Sequence, residues 1–198
     1  MSPTSHSILN KLTGGDRRSI GRSAEVVADL ERDPALLGAV IAGMIHADPL
    51  VRMRAADAVE KFTAARPELL QPFKRQLLGP IAAVEQQEVR WHVAQLLPRL
   101  RCTPRERRAA VTILRGYLAD RSAIVRTMAM QALADFAARD AALRAEVIPL
   151  LEELTRTGTP AMRSRGRKLL RAVSYLFRGV KQAPSRALAR SGKVSGQS

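Results

Sequence analysis

The sequence predicts an all-α fold, a solenoid of about 4–5 stacked helix pairs. Three observations predict it. Arginine recurs in register at Arg52, Arg90, Arg126 and Arg163, spaced by 38, 36 and 37 residues. Each arginine sits in a segment whose apolar positions recur at four, four and three residues, the spacing of one helix face. Aromatics are only 4% of the chain against 46% hydrophobic residues, and the apolar mass is mostly Ala, Leu and Val. That composition suits many short helix contacts better than a β-sandwich.

Residues 1–13 read as a loose N-terminal arm, "MSPTSHS", and a short capping helix at Ile8–Leu12. The repeat domain is expected over 14–178. Its first copy, "DRRSIGRSAEVVADL" (Asp16–Leu30), carries Ile20 where later copies carry the arginine. Four copies follow: "DPLVRMRAADAVEKF" (Asp48–Phe62), "QEVRWHVAQLLPRL" (Gln87–Leu100), "AIVRTMAMQALADF" (Ala123–Phe136) and "PAMRSRGRKLLRAV" (Pro160–Val173). Their inward positions are Val51, Ala55, Val59 and Phe62; Val89, Val93, Leu97 and Leu100; Val125, Ala129, Leu133 and Phe136; and Met162, Gly166, Leu170 and Val173. Between copies lie second apolar segments, Pro34–Ala47, Pro67–Val84, Pro104–Ala119 and about Leu143–Thr157. Three of them open on proline, which is tolerated at a first helical position because its missing N–H has no partner there anyway. Residues 179–198, rich in Ser, Gly, Ala and cations and without acids, read as a disordered basic tail.

Helix pairs of this period, with Asp-x-x-Val-Arg turns, resemble HEAT repeats over about Gly14–Ser174. One pair cannot bury its own apolar face, so neighbours stack into a right-handed α-solenoid. The resemblance implies that Arg52, Arg90 and Arg126 act with turn acids such as Asp48 and Asp120 as structural braces between repeats. It also implies that the second helix of each pair lines a concave surface. A weaker resemblance to the HEAT-like DNA alkylpurine glycosylases implies a Trp followed one turn later by Asp. Here Trp91 is followed by Gln95, so the carboxylate that would stabilise a cationic sugar is missing. No catalytic residue, cofactor or metal is expected, and the chain reads as a non-enzyme.

The charge of +15 is concentrated at one end. From Leu154 onward there are eleven Lys or Arg and no acid, whereas the preceding 153 residues hold 22 cations against 18 acids. Arg163, Arg165, Arg167, Lys168, Arg171, Arg178 and Lys181 are therefore candidates for contact with nucleic acid or another polyanion. The longest near-apolar run, Ala35–Ile45, is too short to span a bilayer. With one cysteine, Cys102, no internal disulfide is possible. A cytoplasmic monomer is expected.

The single tryptophan supplies the other candidate surface. At about 100° per residue with Val89 at zero, Trp91 lies at about 200° and Gln95 at about 240°, away from the buried face. Trp91, Gln95, Met53, Arg54 and Gln131 are the candidate partner-binding residues along the groove, and His92 on its flank is a bystander. The expected function is a scaffold or adaptor that binds a protein partner in its concave face, with the basic end adding electrostatic contacts. The alternative is sequence-nonspecific binding of DNA or RNA.

Overall fold

A computed structural model describes the backbone of residues 5–16 and 19–181, with side chains described within 7–173. The described residues are helical and contain no strand. In order come α1 (Ser5–Asn10), α2 (Ser23–Arg32), α3 (Leu37–Gly43), α4 (Pro49–Thr63), α5 (Lys74–Leu77), α6 (Gln87–Leu96), α7 (Pro104–Tyr117), α8 (Ala123–Arg139), α9 (Ala141–Thr157) and α10 (Pro160–Lys181). The basic tail beyond Lys181 lies outside the described residues, while 179–181, expected to belong to it, continue α10.

Local chemistry sets the helix starts. Asp48 caps α4, its carboxylate accepting from the Leu50 N–H at 2.8 Å, and Pro49 follows at the first helical position. Thr103 and Glu106 form a reciprocal capping box ahead of α7. Asp140 caps α9 by accepting from the Ala142 N–H at 2.9 Å. Two of the segments expected to be helical open instead as 3₁₀ turns, Pro34–Leu36 and Pro67–Phe73. In the second, Pro72 removes an N–H from the helix interior and α5 ends before Gly79–Pro80, so that segment never forms a long α-helix.

The helices named as copies of one repeat pack in succession: α2 on α4, α4 on α6, α6 on α8, and α8 on α10. The intervening helices cover them, α3 against α4, α7 against α8, and α9 against both α8 and α10. The repeated apolar positions of α4, α6 and α8 are all buried, from Val51 and Ala55 at 0% exposure to Phe136 at 5%. In α10, Leu169 is buried and Leu170 only half-buried, a shift of one position from the expected register. Ile8 and Leu12 are buried where α1 meets α3, closing the N-terminal end of the core. This contact also orders α1 from Ser5, inside the arm expected to be loose.

Candidate functional site

The recurring arginines occupy three different situations. Arg52 donates from Nε to Gln86 Oε1 at 2.8 Å and from Nη1 to the His46 and Ala47 carbonyls at 2.8 and 2.9 Å. Gln86 in turn donates to the Pro49 carbonyl at 2.9 Å. Arg90 repeats the pattern one repeat later, donating to the Val84 carbonyl at 3.1 Å and to Asp120 at 2.7 Å, with its guanidinium 5.4 Å from the Tyr117 ring centre. Burial alone would raise the Asp120 pKa, but bonds from Arg90 and the Ser122 N–H outweigh it and hold the carboxyl below its ordinary value. Arg126 breaks the series: its Nε is buried and has no hydrogen-bond partner. The next turn, Thr157–Gly158–Thr159, carries no acid, so the expected brace has nothing to grip. Asp48 does not bridge to an arginine either; it caps α4, and the preceding copy carries Ile20 where an arginine would reach it.

Two of the expected partner-binding residues are corrected by their burial. Arg54 is 1% exposed and points inward, where its guanidinium donates to the carbonyls of Leu12, Thr13, Gly14, Asp16 and Ser19. Those main-chain acceptors give a buried cation a partner without any carboxylate. Met53, at 9% exposure, also offers little surface.

Of the other three, Gln95 and Gln131 share a cleft, and Trp91 lies one helical turn before Gln95. Trp91 is half-buried with one flank on the core, its ring centre 5.7 Å from that of His92. Gln95 donates to the Trp91 carbonyl at 3.3 Å. Gln95 and Gln131 line one cleft of about 260 Å³ between α6 and α8, together with Met128, Arg99, Asp135 and Arg139. Gln131 donates to Asp135 at 2.9 Å and accepts from Arg165 Nη1 at 3.1 Å, which joins the cleft to α10. Burial raises the Asp135 carboxyl above its ordinary value. His92 is buried beside the cleft, and desolvation pushes it down to about 4, so it is a neutral ring near pH 7.

On α10, Met162, Gly166, Leu169 and Val173 are buried, whereas Arg163, Arg165, Arg167, Lys168 and Arg171 are exposed. The side chains of Arg178 and Lys181 lie outside the described residues. Among the described residues no cluster of His, Cys, Asp and Glu could hold a metal ion, and no helix is long and apolar enough to cross a membrane. Sequence reasoning missed Arg99, Arg101, Arg107 and Arg139, which line a second cleft with the half-buried Cys102. The dense "PRLRCTPRERR" run (Pro98–Arg108) was its available signal.

No family model matches the chain. No curated protein matches it. Among solved structures, an engineered protein determined by crystallography as a Northeast Structural Genomics Consortium target is similar. The two share 16% identity and a TM-score of 0.58, over 87% of this chain and 80% of that one. Likeness at that identity concerns the fold alone.

Proposed function

We propose that the protein is a non-catalytic binding module, a right-handed HEAT-like solenoid whose second helices form a concave face for a protein partner. The observation that carries this reading is the continuity of Gln95, Gln131 and Arg165 across α6, α8 and α10. Trp91 stands at one end of that row and exposed cations at the other. A half-buried indole braced on one flank is a typical anchor for a partner side chain. The cations of α10 speed encounter with an acidic surface and orient it. Gln95 stands where a glycosylase-like site would need a carboxylate, and His92 is held neutral by burial, so neither residue suits acid-base chemistry.

The second reading, sequence-nonspecific nucleic-acid binding, is favoured by the five exposed cations of α10, Arg163 to Arg171, which have no acid among them in sequence. An affinity pull-down with and without nuclease separates the two. Partners that survive nuclease and are lost with Trp91→Ala support the protein-binding reading. Loss of every partner on nuclease treatment supports the second.

A further inference from the structure

We propose that the cleft between the α6–α7 connection and the C-terminal end of α8 is a binding site for a small phosphate-bearing ligand. The cleft measures about 380 Å³ and is lined by Arg99, Arg101, Arg107 and Arg139, with Cys102 and Phe136 among its other walls. That volume falls in the range of small-molecule sites, which run from about 300 to 1,000 Å³. None of its lining residues is acidic.

The arginines are arranged for an anion. Arg99 pairs with the Glu60 carboxylate, and its Nη1 donates to the Glu60 carbonyl at 2.8 Å and to Thr63 Oγ1 at 3.3 Å. Arg107 is held by Asp140, and Arg139 donates from Nη1 to the Pro98 carbonyl at 2.7 Å. Arg99 is fixed through three hydrogen bonds and Arg107 and Arg139 through one each, which leaves N–H donors on every fork for a ligand. Arg101 is exposed, and its side chain makes no ion pair among the described residues. Four guanidinium groups thus meet three carboxylates, Glu60 on Arg99, Asp140 on Arg107 and Asp135 acting on Arg139, so the array is net positive and suits a phosphate-bearing anion. The nearby Lys74–Glu106 pair cancels itself. Arginine forks bind phosphate oxygens in pairs, whereas a lone carboxylate would leave half of this array unused. This site needs neither Trp91 nor α10, although Arg99 and Arg139 line both clefts, so the α10 variant below keeps the two readings distinguishable.

The test uses the full chain and pyrophosphate as the probe, by titration calorimetry at low salt, with acetate as a control anion. Saturable one-to-one binding is expected, weakened at least tenfold in the Arg101→Ala/Arg139→Gln double variant and unchanged in Arg167→Ala/Lys168→Ala. Circular dichroism confirms that the variants fold. Because Cys102 is the chain's only cysteine, its alkylation by N-ethylmaleimide gives an independent readout: pyrophosphate should slow it several-fold. No saturable binding, or binding lost only in the α10 variant, overturns the proposal. So does binding of an oligonucleotide with no response to pyrophosphate.

Discussion

Replacing Arg54 by methionine keeps most of the side-chain length and removes every donor that gathers the 12–19 segment. In the structure this guanidinium reaches the Leu12, Gly14 and Asp16 carbonyls at 2.8, 2.6 and 3.1 Å, and those of Thr13 and Ser19 at 3.3 Å. The bond to Leu12 is buried, whereas the residues at the other four acceptors are exposed and their carbonyls can rehydrate. One buried carbonyl left unsatisfied costs about 1–3 kcal/mol, and the lost charge-assisted bonds add to it, so about 3 kcal/mol is expected in total. Urea unfolding followed by circular dichroism reads the loss, and hydrogen exchange should show α1 and α2 opening first. Arg54→Lys should recover less than half, because an ammonium has three donors and no planar fork. A loss below about 1 kcal/mol, with unchanged exchange in α1, would refute the view that Arg54 organises the N-terminal end.

Other consequences are equally direct. Thr159 occupies the register of Gln86, so Thr159→Asp should give Arg126 a partner and stabilise the fold by about 1 kcal/mol; an equal gain in the Arg126→Ala background would show that only the helix cap improved. Gly166→Ala would place a methyl 1.9 Å from Thr155 Oγ1 and must push α10 from α9; its midpoint in thermal unfolding should fall, and an unchanged midpoint contradicts that packing. His92 is held near 4 when folded, below its ordinary 6.5, so the unfolded chain binds the extra proton. Stability from this group is therefore complete above about pH 6.5 and falls as the pH drops towards 4, by up to about 3 kcal/mol. His92→Gln should flatten that slope in urea titrations across the same window, and an unaltered slope assigns the effect elsewhere.

The parts of the fold that were legible are those set by local periodicity. Val89, Val93, Leu97 and Leu100 recur at helical spacing and are all buried, because one helix face meets the same kind of neighbour in each copy. Prolines 34, 67 and 104 all open a helical segment, since their fixed φ suits that position. What was not legible depends on groups far apart in sequence. Arg54 sits on the flank of its helical wheel, and only the carbonyls gathered at Leu12–Ser19 turn it inward. Gln86, rather than Asp48, serves Arg52 because the arginine reaches forward to the turn of the next copy, as Arg90 reaches Asp120. The arginine cleft draws residues from the α6–α7 connection, α7 and α8, and no spacing rule joins Arg101 to Arg139.

Hydrogen exchange of the protein with and without a nuclease-resistant partner tests the central claim most directly. The account predicts slowed exchange at 91–95 on α6 and 127–131 on α8, continuing onto α10 at 163–171. Protection confined to α7 and α9, with α6 and α8 unchanged, would contradict it.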